Sequence, residues 1–185
     1  MRSFLRNAVV LPVLVSAAMT VSNAWSAEPT LGPVVPNFGP VMAPPAGSFN
    51  LDPNVHYKVS MDMYTTPDFP GDQNRHLTSA ARFLNMHARN GIPAENIEFA
   101  LIVHGKAAKD LLTDEAYEER YNEPNPNTAL LEELHAANVP IYLCSQTAAF
   151  RGMAPEEFSP TVTMSLSAMT AHVRLQQEGY TLVPF

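Results

Sequence analysis

The residues best suited to chemistry gather around Cys144, the single cysteine of the chain. It ends the apolar run Val139-Pro140-Ile141-Tyr142-Leu143 and opens the stretch Ser145-Gln146-Thr147-Ala148-Ala149-Phe150, which Gly152 closes. The pattern reads as a short buried strand that turns at the cysteine into a short helix. In a parallel α/β sheet, ligands and reactive groups collect where the carboxyl end of a strand meets a helix start. A thiolate in that position is stabilised by the partial positive charge of the helix amino terminus. Its chemistry would be nucleophilic, and a thiolate presented openly there suits handing an atom to a partner. The competing reading is a small buried hydrophobe that only packs.

His104 ends a second apolar run, Ile97 to Val103. If the two strands are parallel neighbours, His104 opens on the same sheet edge as Cys144 and can give or take a proton there. A histidine bonded to its own loop backbone is the plainer alternative. Ser145, Gln146 and Gly105 are the candidate contacts to a bound sulfur or substrate, although serine and glutamine are also ordinary in a first helical turn.

Other chemistries find little support. Six residues separate Cys144 from Arg151, which is not the spacing or the glycine-rich setting of an anion cradle such as a phosphatase loop. The histidines at 56, 76, 87, 104, 135 and 172 include no pair at three- or four-residue spacing and no second cysteine, so no metal site is expected. The glycines form neither a dinucleotide fingerprint nor a P-loop, and no nucleophile elbow occurs. No cofactor is expected.

The elements that must hold these residues follow from periodicity. Val55, Tyr57, Val59, Met61 and Met63 alternate with polar residues, as in a strand with one wetter face. Leu77, Ala80, Ala81, Leu84 and Ala88 mark a helix that Gly91 and Pro93 end. The run from Ile97 to Val103 suits a strand covered on both faces. Lys106 to Leu112 reads as helical, Thr113 as the cap of a helix to Tyr121, and Asn127 as the cap of one bearing Leu130, Leu131 and Leu134. After the Cys144 strand and helix come a strand over 161–166, a helix capped by Ser167 and running to Gly179, and a last short strand over 181–185. This order predicts an α/β fold, three layers α/β/α around a mainly parallel sheet of five strands.

The amino-terminal third differs in character. A basic start with Arg2 and Arg6, then an apolar run from Ala8 to Val21, has the layout of a signal peptide over 1–24, cleaved after Ala24, with an uncleaved amino-terminal anchor as the alternative. Its removal would leave 9 Lys+Arg against 18 Asp+Glu, a formal charge of −9. That balance offers no electrostatic reason to bind nucleic acid or anionic lipid. Residues 25–54 hold seven of the 17 prolines and read as an extended, floppy tether whose scattered apolar residues could lie along the domain or a neighbouring subunit. The folded domain is expected over 55–185. Export implies a periplasmic location and no stable membrane insertion once the leader is removed.

Residues 55–185 resemble the DsrE/DsrF-like family. The resemblance is carried by His104-Gly105 with Ala107-Ala108, by Asn125-Pro126-Asn127 before a helix, and by Leu143-Cys144 leading to Arg151-Gly152. The tail from Ser167-Ala168-Met169-Thr170 through Gln176 and Gly179-Tyr180 to Pro184-Phe185 completes it. It implies assembly as trimers or hexamers, and a cysteine matching Cys144 that carries persulfide sulfur between partner proteins. The expected function is then an exported protein that binds or relays sulfane sulfur on Cys144, drawing on a donor and acceptor that are proteins or small sulfur compounds. The alternative is an oligomeric binding module without turnover, in which Cys144 is structural. A third reading is a redox sensor forming an intermolecular disulfide.

Overall fold

A computed structural model of the chain describes residues 28–184, so the leader over 1–24 lies outside the described residues. Five strands form one sheet in the order β4-β3-β2-β1-β5: β1 (Tyr57–Met63), β2 (Ile97–Val103), β3 (Ile141–Cys144), β4 (Val162–Ser165) and β5 (Thr181–Val183). Every pairing is parallel. The expected sheet of five strands is therefore present, and it is wholly rather than mainly parallel.

The register explains the sequence patterns. On one face Val59, Met61 and Met63 of β1 and Phe99, Leu101 and Val103 of β2 join a core with Leu77, Ala80 and Leu84 of helix α1 (Arg75–Arg89) and Leu130, Leu131 and Leu134 of helix α3 (Thr128–Ala136). On the other face Ala100, Ile102 and Cys144 pack against Ala168, Ala171 and Leu175 of helix α5 (Ala168–Gln177). β2 is central and covered on both sides, which is why it is apolar apart from Glu98 near its start. β1 places its polar alternates, Ser60 and Asp62, on the α5 side of the sheet.

Local signals set most helix ends. Thr113 accepts from the Ala116 N–H at the start of helix α2 (Asp114–Tyr121), and Ser167 accepts from the Thr170 N–H at the start of α5. One expectation is refined and one needs correction. The helical stretch expected over Lys106 to Leu112 is a 3-10 helix over Gly105–Leu111, turning Ala107, Ala108, Asp110 and Leu111 inward. Asn127 precedes α3 but makes no capping bond there. Its Oδ1 accepts from the Asn74 N–H at 2.8 Å and its Nδ2 donates to Asn125 at 3.0 Å, so it stabilises the approach to α1 instead.

The proline-rich segment is also more ordered than a free tether. Val35 and Val41 are buried, and Thr30 and Val41 form an antiparallel bridge. Asn85 of α1 bonds to the backbone of Val34, Val35, Phe38 and Gly39. Arg82 donates to the Pro40 carbonyl and Arg89 to those of Gly32 and Leu31. Proline leaves the segment short of donors for a sheet, and polar side chains of α1 supply its partners. A Cβ on Gly39 would stand 2.3 Å from the Arg82 nitrogen, so the strap passes against α1 at a point only glycine tolerates.

Candidate functional site

The parallel sheet brings three chain segments to one edge. Asp62 lies one residue before the end of β1, His104 directly follows β2, and Cys144 ends β3. α5 then crosses that edge with Ala168 at its start and His172 one turn on. These residues line a cavity of about 430 Å3 together with Gln146, Thr147, Met169 and Leu182. Larger cavities of about 510 and 620 Å3 lie elsewhere, one before the start of α1 and one beside Glu98 and Tyr180. Neither is lined by a cysteine.

Cys144 is 6% exposed, buried on its sheet side and open only toward this cavity. Burial pushes the thiol up. The Thr147 hydroxyl and the backbone N–H groups of Thr147, Ala168 and Gln146 bond to it and more than offset that effect, so the thiol lies below its ordinary value. These donors come from the first turn of helix α4 (Ser145–Phe150) and from the first residue of α5. Two helix starts therefore converge on one sulfur, where the sequence pointed to one.

His104 and His172 share a carboxylate. His104 Nε2 lies 3.1 and 3.2 Å from the two Asp62 oxygens, and His172 Nε2 lies 2.8 Å from Oδ1. The His104 ring also stacks on Tyr64 at 5.9 Å. His104 thus reaches the Cys144 cavity as the strand order required, but its ring bonds to Asp62.

The remaining candidates divide. Gln146 lines the cavity and is exposed to it. Ser145 does not line it, and its hydroxyl donates to the Leu166 carbonyl at 2.9 Å, tying α4 to the turn before α5. Gly105 also lies outside the lining. It adopts φ of 60°, and its N–H donates to Thr147 Oγ1 at 3.3 Å, so it orients a residue that touches the sulfur. Among the described residues no cluster of three metal-ligating side chains is arranged to hold an ion.

Sequence reasoning missed Asp62, Thr147 and His172. For Asp62 the available signal was its place on the polar side of an alternating strand, near the strand's carboxyl end. For His172 it was the four-residue step from Ala168, the first inward residue of α5.

An all-parallel α/β/α sheet with an acidified thiol at its carboxyl edge defines a class of small cysteine-bearing α/β protein. Within that class, the chain belongs to the DsrE/DsrF-like family, whose model matches residues 58–185. Two solved structures share the fold. One is a protein of unknown function, MTH1491 from Methanobacterium thermoautotrophicum, 19% identical with a TM-score of 0.54, and the other is the YchN protein from E. coli, 17% identical with a TM-score of 0.50. Each match covers 70% of this chain and 99% of the other. No curated protein matches the chain.

Proposed function

We propose that this protein is an exported sulfur-relay protein that takes up sulfane sulfur on Cys144 as a persulfide and passes it to an acceptor thiol. Membership of the DsrE/DsrF-like family supports the sulfur role in general. The observation that carries the assignment to Cys144 is its sulfur at the wall of a cavity, with hydrogen bonds that favour the thiolate. In the uptake step, the Cys144 thiolate attacks the outer sulfur of a donor persulfide R–S–SH. A new S–S bond forms at Cys144, the donor S–S bond breaks, and R–S⁻ leaves and is protonated; no net oxidation occurs. Release repeats the exchange, with an acceptor thiolate attacking the outer sulfur and Cys144 as the leaving group.

Mass spectrometry after incubation with polysulfide tests the reading. The mature chain is expected to gain about 32 Da, one sulfur atom, on Cys144. An unmodified Cys144 that still reacts with iodoacetamide in the native state would overturn it. The 6% exposure of Cys144 favours a second reading, a binding module in which the thiol only packs. Labelling of Cys144 only in denaturant would select that reading.

Assembly and location belong to the same proposal. Met169 and Leu182 line the cavity yet are 76% and 39% exposed, and Val173, one turn along α5 from Met169, is 54% exposed. Apolar surface beside a reactive site is suited to burial by a second copy of the chain, in a trimer or hexamer. Met169→Asp combined with Val173→Asp is expected to reduce the sedimenting species to monomer. An unchanged sedimentation coefficient would remove this face from the assembly. Cleavage after Ala24 and a periplasmic location are expected, and N-terminal sequencing of the exported protein checks both.

A further inference from the structure

We propose that Asp62 and His172 are positioning residues that fix the tautomer of His104, so that His104 carries the proton of sulfur transfer on Nδ1. This rests on the sulfur-transfer reading of Cys144. An ionised carboxylate only accepts hydrogen bonds. Both imidazoles meet Asp62 through Nε2, at 3.1 Å for His104 and 2.8 Å for His172, so the hydrogen of each ring sits on Nε2.

The two remaining ring nitrogens differ. Nδ1 of His172 is buried and has no hydrogen-bond partner. A proton placed there would be a buried charged donor with nothing to accept it, an expensive arrangement. Nδ1 of His104 is not among the buried unpartnered atoms, and His104 lines the cavity that Cys144 lines. His172 therefore holds the carboxylate in place from one side, and His104 on the other side keeps a nitrogen open for proton exchange. Apart from the thiol, Asp62 and these two imidazoles are the titratable side chains that line the cavity, and no lysine or arginine lines it.

The proton count closes within this group. The Cys144 thiol releases its proton into the cavity that His104 also lines, and His104 Nδ1 takes it up there, leaving the thiolate that attacks the donor persulfide. The departing R–S⁻ then receives that proton and leaves as R–SH, with His104 neutral again on Nε2–H. Sulfur moves as one S–S bond exchanged for another, and no oxidant or reductant is consumed. The other protons remain in place.

The test combines imidazole 15N NMR with the rate of sulfur transfer from persulfide-loaded protein to a small thiol, measured on the mature chain. In the wild type both rings are expected as Nε2–H tautomers. Asp62→Asn, whose amide can donate as well as accept, is expected to mix the tautomer of His104 and slow transfer about tenfold, at the low end of what proton transfer by a positioned side chain contributes. Alkylation of Cys144 well above the thiol range should be unchanged in that variant. His172→Gln keeps an N–H for Asp62 and should stay within about threefold of wild type, whereas His172→Leu should lose about as much as Asp62→Asn. If Asp62→Asn fails to fold, the glutamine and leucine pair at 172 carries the test. A wild-type His104 found as Nδ1–H, or a folded Asp62→Asn or His172→Leu that transfers at the wild-type rate, would overturn the proposal. A wild type that loads no sulfur defeats the reading of Cys144, and the tautomers then decide the role of Asp62: Nε2–H on both rings, mixed in Asp62→Asn, supports it, and Nδ1–H on His104 overturns it.

Discussion

Asn85→Ala is expected to destabilise the chain by about 3–4 kcal/mol, near the upper end for a single substitution, and to release the proline-rich strap from α1. The Asn85 side chain is fully buried. Its Oδ1 accepts from the N–H groups of Val34 and Val35 at 3.0 and 2.8 Å, and its Nδ2 donates to the carbonyls of Val35 and Phe38 at 3.0 Å each. Alanine leaves these backbone groups without partners, each costing about 1–3 kcal/mol if it stays buried. The cost is capped because the strap can detach and rehydrate them. Detachment then exposes Val35, whose burial contributes about 1.5–3 kcal/mol. Urea unfolding should show the loss, and limited proteolysis should cut the variant within 42–54 far sooner than the wild type. A melt within about 0.5 kcal/mol of wild type, the range of an ordinary surface substitution, would show that the strap contributes no stability through Asn85.

The strap also marks where local sequence stops being informative. Prolines announced an extended segment, and that much needs only the missing N–H and the fixed φ. What holds it is Asn85, with Arg82 and Arg89 beside it on α1, about 50 residues away along the chain. Within α1, Asn85 adjoins Leu84 on the inner face. A polar residue on a core-facing stripe was a signal that something polar had to meet it. Asn127 is a similar case. Its type and its place before an apolar helix match a cap, yet the partner it found is Asn74, brought near only by the fold. By contrast, β1, β2 and the caps at Thr113 and Ser167 depend on neighbours a few residues away or on one-face burial, so period and residue type sufficed.

The site divides the same way. A parallel sheet requires strands to deliver their ends to one edge, and that rule alone placed His104 and Cys144 together. It says nothing about which polar side chain will face a histidine from the next strand or from a helix more than 60 residues later. Asp62 and His172 therefore emerged only with the fold. The dipole argument for Cys144 was likewise incomplete, since it counted the helix that follows the cysteine. The second helix start, at Ala168 of α5, was not counted.

Thr147→Val is expected to slow native alkylation of Cys144 near neutral pH by about tenfold, because a hydrogen bond to a charged group contributes about 1.5–3 kcal/mol. The Gly105 N–H donates to Thr147 Oγ1, which satisfies the oxygen and leaves the hydroxyl hydrogen free for the sulfur. Among the bonds that lower the Cys144 thiol, that hydroxyl contributes most. Valine keeps the branched shape, removes the donor and leaves the Gly105 N–H unpaired. The thiol then moves back up, so the alkylation profile of the variant should be displaced to higher pH and meet the wild-type profile once both thiols are ionised. That convergence separates lost acidity from blocked access, which would slow the reaction at every pH. The sign also holds for stability. A thiol more acidic in the folded chain than in the unfolded one contributes stability above the ordinary thiol value of about 8.5, and that contribution is lost as pH falls through the folded value. Thr147→Val should flatten this rise in unfolding free energy between neutral and alkaline pH. An alkylation profile that coincides with wild type would mean that the backbone donors at Thr147, Ala168 and Gln146 are enough to set the thiol's acidity.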